Sequence, residues 1–307
     1  MSWQSALEAT GARVIPDAPL ARLAYWRVGG PAQWLVDLTT VAQLSGVMRL
    51  AADGLPITVL GKGSNALVHD DGIAGAVLRL KGALAELVID GTSATAGAGM
   101  LLTVLLRRLD EAGLAGAEPF AGVPGTVGGA VVMNAGTRLG EARDLVRSVT
   151  VVVPGGELRT LDAEALAFGY RTATLPEGAV VAFAELHLTD RDVEARQARR
   201  QELMEARKAT QPLNLPSCGS TFTNPPGDYA GRLIEASGLK GLRIGGASVS
   251  TKHANFVVNH GDATAEDIRQ VIVHIRETVF ARHGIWMTPE VKLLGPWEPG
   301  ALGRRSE

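Results

Sequence analysis

Three short stretches carry side chains that could do chemistry. LPSCGSTFTNP (215–225) holds the chain's only cysteine, Cys218, with Ser217 before it and Ser220 two residues after. A thiolate nucleophile, a serine that gives or takes a proton, and a simple turn are all compatible with it. The neighbouring glycine and prolines place backbone rather than bury surface. FGYR (168–171) sets Tyr170 beside Arg171, which suits either a carboxylate-binding cation or a surface stack. TPEVKLLG (288–295) puts Glu290 and Lys292 at alternate positions of an expected strand, hence on one face. Such a pair usually marks a solvated strand face, and neither it nor FGYR carries a functional claim by itself.

Two glycine-rich passages need a different reading. GKGSNA (61–66) follows the apolar run ITVL and fits the dinucleotide pattern G-x-G-x-x-A. A Rossmann unit would open a helix there, but LVHDDGIAG shows no helical periodicity. What survives is a turn whose backbone N–H groups could face phosphate, or a turn that is merely structural. In FAGVPGTVGGAVVMNAG (120–136), the glycines and Asn134 would let backbone approach a ligand closely, since no Cβ intervenes. Two such passages in one lobe suggest a diphosphate held by backbone rather than by Lys or Arg. A glycine-tolerant packing crossover is the alternative.

The elements that must position these groups are legible in part. VAQLSGVMRLAADG (41–54) reads as a helix stopped by Gly54, and LLTVLLRRLDEAG (101–113) as another. ELVIDGTSATAG (86–97) reads as a hairpin turned at Asp90-Gly91, and SVTVVVPGGELRTL (148–161) as one with Pro154-Gly155-Gly156 at its tip. AELHL (184–188) is a strand. DRDVEARQARRQELMEARKA (190–209) is a charged helix, expected to bridge two domains. Beyond it come a helix near 229–238 and a strand at 255–259. A final helix opens on a capping box, Thr264 with Asp267. Ile268, Val271, Ile272, Ile275 and Val279 share one face of it, and it ends near Gly284.

Composition removes several classes of function. The 307 residues exceed one compact core, and the 46% hydrophobic content argues against disorder. Thirty basic against 32 acidic side chains leave a net charge of −2, with no basic run, so no nucleic-acid partner is expected. One cysteine and six scattered histidines offer no metal site. The N-terminus MSWQSALEATGARV lacks a signal-peptide pattern, and no apolar run reaches about 18 residues. The expectation is a cytoplasmic protein without membrane insertion, and no protein partner can be inferred.

In order, RVGGPA (27–32), GKGSNALV (61–68), PGTVGGAVVMNAG (124–136), FGYR, QPLNLPSCGSTFTNP (211–225), GLKGLRIGGASVSTKHANFVVN (238–259) and PEVKLLG resemble the UDP-N-acetylenolpyruvoylglucosamine reductase (MurB) family. The resemblance runs from about residue 20 to 296. It implies an α+β fold with an FAD-binding portion of the vanillyl-alcohol-oxidase (PCMH) type and a smaller α+β substrate domain. The expected division is 20–190 (lobes 20–80 and 81–190), a linker helix 191–209, a substrate domain 210–296 and a tail 297–307. Thr288 and Thr223 depart from the family pattern, which has glutamate at the first in many members and lysine or glutamine commonly at the second. The tyrosine-bearing insertion of the longer subclass is missing, so the chain resembles the shorter one.

The resemblance also implies chemistry: NADPH-dependent, FAD-mediated reduction of a UDP-sugar enolpyruvyl ether to UDP-N-acetylmuramate, for peptidoglycan synthesis. Non-covalent FAD would lie on Gly61, Lys62, Gly63, Ser64, Asn65, Gly122, Pro124, Gly125, Thr126, Gly128, Gly129, Asn134, Ala135 and Gly136. The catalytic arginine falls on Arg171, the serine proton donor on Ser220 and the catalytic glutamate on Glu290. Tyr170, Asn224, Lys240, His253 and Lys292 fall at substrate positions. In this scheme Cys218 has no nucleophilic task. The rival reading is an oxidase of the same superfold, which would use a His or Cys near the glycine-rich segments to attach flavin; only His69 is close.

Overall fold

The computed structural model describes residues 2–303, so the last four residues of the expected tail lie outside the described residues. The chain forms two compact units that interleave in sequence. One comprises Met1–Pro16, Trp34–Lys62 and Gly75–Glu205; the other Asp17–Gln33, Gly63–Ala74 and Ala206–Glu307. The expected division was sequential. The second unit instead recruits two early segments, because each finds a long-range partner there. Ala66–Val68 pairs in parallel with Lys292–Leu294, and Trp26 is fully buried with its indole N–H donated to Val257 O at 2.7 Å.

The first unit has two sheets. A four-stranded sheet runs, in spatial order, Arg13–Pro19, Pro31–Leu38, Ile73–Leu80 and Ile57–Val59. A five-stranded sheet runs Leu158–Asp162, Val146–Val152, Val180–His187, Ser93–Gly97 and Leu87–Asp90. Val180–His187 is central and mostly buried on both faces, which suits its run of valine and alanine. Helices α1 (Trp3–Ala9), α2 (Val41–Ala52), α3 (Leu102–Glu111) and α4 (Val127–Val132) belong to this unit. Leu102, Leu105 and Leu109 of α3 bury one helical stripe in the same core as Val127, Ala130 and Val131 of α4. Thus the second glycine-rich passage does contain a helix, of six residues. The expected hairpins are present, with the first reversal at Gly91-Thr92, one residue later than expected.

Helix α5 (Val193–Thr210) is the expected charged helix, with Leu203 its buried residue. Its Arg196 pairs with Glu118 at 2.9 Å. In the second unit, α6 (Ala230–Ala236) and α7 (Ala265–His283) accompany an antiparallel sheet of Arg243–Ile244, Ala247–Val249 and Val257–Asn259. The stripe Ile268, Val271, Ile272, Ile275 and Val279 is fully buried, and the Thr264–Asp267 capping box is made in both directions. Asp70 adds a third cap by accepting from Ala265 N and Glu266 N at 2.9 and 3.1 Å. Among the described residues no helix is long and apolar enough to cross a membrane.

Candidate active site

Gly61, at the head of the first glycine-rich passage, meets the second passage within the first unit. A Cβ built on Gly61 would lie 2.7 Å from Thr126 Oγ1, so only glycine allows this approach. Thr126 caps α4, its hydroxyl accepting from Gly129 N at 3.4 Å. Gly128 does something else: its Cβ would fall 2.9 Å from Ala98 Cβ, and its N–H donates to Ala98 O at 2.8 Å. This glycine seats α4 against the sheet, as the packing-crossover alternative has it. Gly129 is exposed.

Arg171 sits on a two-residue turn closed by Gly169 N to Thr172 O at 3.0 Å. Its φ of +56° is left-handed, a conformation that costs a non-glycine residue roughly 1–2 kcal/mol. Its guanidinium lies 4.9 Å from the centroid of exposed Tyr170 and 3.6 Å from Glu141 Oε1. The turn is held by Asn134, fully buried, whose Nδ2 donates to Gly169 O at 2.8 Å and to Glu141 Oε2 at 3.0 Å. Its Oδ1 accepts from Arg143 N at 3.0 Å. Asn134, expected at the cofactor, therefore spends its amide on the arginine turn. Glu141 carried no signal in the sequence, because nothing in GEARD marks one acid over the other.

In the second unit the Ser220 segment and Glu290 are hydrogen-bonded neighbours. Glu290 N donates to Thr221 O at 2.9 Å, and Phe222 bridges Pro289. On its other side the segment is gripped by buried Asn255. Thr221 N donates to Asn255 O at 2.8 Å, and the Asn255 side chain both accepts from Phe222 N and donates to Phe222 O, at 3.0 and 2.8 Å. Asn65 joins the same assembly through Nδ2 to Glu290 O at 3.1 Å and its carbonyl to Lys292 N at 3.0 Å. The strand starts at Lys292, so Glu290 precedes it instead of sharing its alternation as expected. Thr223 and Thr288, the two departures from the family pattern, touch each other: Thr223 N donates to Thr288 O at 3.0 Å.

Cys218 is buried in the core of this unit, its sulfur 3.6 Å from Gly63 O and Ala66 O. Burial pushes the thiol up to about 12, so no useful thiolate exists near neutrality. A raised value adds stability that is full below the unfolded thiol's range and disappears as pH climbs towards 12. Native protein should therefore resist alkylation at pH 8 and react only once unfolded. Cys218→Ala should leave turnover within about twofold; rapid native labelling would contradict this placement.

Asn224 is exposed, with Oδ1 accepting from Ala230 N at 3.0 Å at the start of α6. Lys240 pairs with Glu235 at 2.8 Å. Burial first, and the Lys240 charge second, hold the His253 imidazole below the usual histidine range, with Glu235 partly opposing. Near neutrality that ring is uncharged and can accept or donate a hydrogen bond. Lys292 has an exposed side chain. His69 is committed elsewhere: Nδ1 accepts from Asp71 N at 3.0 Å and the ring meets Trp297 edge-on at 4.5 Å. No group of three metal-ligating side chains exists among the described residues.

Residues 32–162 match the model of an FAD binding domain, and residues 211–294 that of the UDP-N-acetylenolpyruvoylglucosamine reductase C-terminal domain. The UDP-N-acetylenolpyruvoylglucosamine reductase of Anaeromyxobacter dehalogenans (strain 2CP-C) is 48% identical over 289 residues, covering 93% of this chain and 87% of that protein. The chain belongs to the MurB family. UDP-N-acetylenolpyruvoylglucosamine reductase 2 of Symbiobacterium thermophilum is 43% identical, covering 94% of each chain. The crystal structure of the MurB reductase from Thermus caldophilus superposes with a TM-score of 0.82 at 39% identity, covering 92% of this chain and 99% of that one.

The protein is thus a flavin oxidoreductase of peptidoglycan precursor synthesis, with an FAD binding domain and a smaller α+β domain. The structure suits that cofactor where it can be tested. At Gly61 the missing Cβ lets the Thr126 side chain close onto the first glycine-rich passage, which brings together the two passages expected to cradle the FAD diphosphate.

Proposed function

We propose that this MurB reductase converts UDP-N-acetyl-3-O-(1-carboxyvinyl)-glucosamine to UDP-N-acetylmuramate with NADPH as reductant. The observation that carries the reading is the pairing of the Ser220 segment with Glu290, through Glu290 N to Thr221 O at 2.9 Å. It sets side by side the backbones that carry the expected proton donor, Ser220, and the carboxyl expected to assist charge stabilisation, Glu290. Gly61, Lys62, Gly63, Ser64 and Asn65, with Gly122, Pro124, Gly125, Thr126, Gly129, Ala135 and Gly136, would hold FAD. When bound, FAD takes reducing equivalents from NADPH and passes them to the enolpyruvyl double bond.

As the double bond is reduced, negative charge gathers on the carbon beside the carboxylate and on the carboxylate oxygens. The Arg171 guanidinium, permanently charged and able to bind a carboxylate with two N–H groups, stabilises that charge as it develops. Glu290 assists by hydrogen bonding, directly when protonated or through water. Ser220 gives the carbon its proton; a hydroxyl is a weak acid, but a carbanion is a strong base. Tyr170, Asn224, Lys240, His253 and Lys292 bind the nucleotide sugar, with Lys240 on its diphosphate.

With no Rossmann unit among the described elements to give NADPH a domain of its own, nicotinamide and enolpyruvyl group would take turns at one site. Initial rates against both substrates should give parallel lines, with each inhibiting competitively at high concentration. Intersecting lines, or a stable complex holding both ligands, would defeat the shared-site mechanism.

A further inference from the structure

Glu141 lies at the end of a two-stranded ribbon, Gly136–Thr137 with Gly140–Glu141. Its side chain is only 19% exposed and has four partners: Asn134 Nδ2 at 3.0 Å, Arg143 Nη2 at 2.9 Å, Arg171 Nη1 at 3.6 Å and, through a capping box, the Asp144 N–H. The same Asn134 amide holds Gly169 O, at the start of the turn that presents Arg171. Carboxylate and turn are therefore fixed to one buried side chain, which itself adopts a left-handed φ of +39°. The Arg143 contact is the tighter, so Arg171 is tethered rather than locked.

We propose that Glu141 is the positioning residue for Arg171, aiming its guanidinium at the substrate carboxylate; this rests on the carboxylate-binding role given to Arg171 above. The guanidinium also lies 4.9 Å from the exposed Tyr170 ring, a contact that does not depend on the carboxylate. A displacement of about 1 Å in such a group costs on the order of 10²-fold in rate.

Glu141→Gln tests this, because it keeps the volume and can still accept from Asn134 while losing the charge. The expected result is a kcat for enolpyruvyl reduction lower by roughly 10–100-fold with KM changed less than about threefold. NADPH reduction of flavin and the melting temperature should stay near wild type, and product affinity by calorimetry should hold or tighten. Glu141→Asp should recover part of the rate. In an Arg171→Ala background, Glu141→Gln should cost less than about twofold. Equal cost in both backgrounds, or a lower melting temperature with both half-reactions slowed alike, would overturn the proposal in favour of a structural role. Should Arg171→Ala leave flavin re-oxidation at full speed, the role given to Arg171 falls, and this proposal with it.

Discussion

Ser220→Ala is expected to slow substrate-driven flavin re-oxidation by roughly 10²–10⁴-fold or more while leaving NADPH reduction of the flavin nearly intact. The bonds that hold the segment belong to Thr221, Phe222, Asn255 and Glu290, so the substitution spares the fold. Ser220→Cys supplies a more acidic group on the same backbone and should retain more activity than alanine. Ser217→Ala should cost far less. Stopped-flow traces of the two half-reactions, taken without oxygen, separate these outcomes. Equal slowing of both halves by Ser220→Ala would mean a damaged fold instead of a lost proton donor.

Gly61→Val is expected to abolish FAD retention. The new Cβ would lie 2.7 Å from Thr126 Oγ1, and a branched side chain would push the Thr126 side chain off its cap of α4 and open the two passages. The flavin-to-protein absorbance ratio should fall to near zero while far-UV circular dichroism stays native. Gly128→Val should behave differently. It drives a side chain into Ala98 and disturbs the seat of α4, so loss of flavin should come with loss of stability. Full flavin content in Gly61→Val would contradict the cradle.

The sequence made some of this legible and hid the rest for physical reasons. Periodicity exposed α3 and α7, because each buries one helical stripe, Gly54 marked the end of α2, and the Thr264–Asp267 spacing announced the cap of α7. The interleaving of the two units was not visible. Parallel pairing of Ala66–Val68 with Lys292–Leu294 links segments more than 200 residues apart, and no local pattern encodes it. The glycines were read as one ligand-facing set, yet Gly128 is needed for packing. The motif alone left Cys218 open as a nucleophile and the family resemblance gave it no task, but its burial was not legible, since a lone cysteine gives no sign of its environment. Asn255 and Glu141 were missed as functional supports, because they act on Ser220 and Arg171 through backbone and through other side chains.

The central claim is that the enolpyruvyl sugar is the electron acceptor of this flavoprotein. Photoreduced holoenzyme, free of NADPH and oxygen, should regain its full 450 nm absorbance on mixing with one equivalent of the enolpyruvyl substrate, and one equivalent of UDP-N-acetylmuramate should form. Flavin that stays reduced with this substrate, and is re-oxidised only when oxygen is admitted, would contradict the account and point to an oxidase.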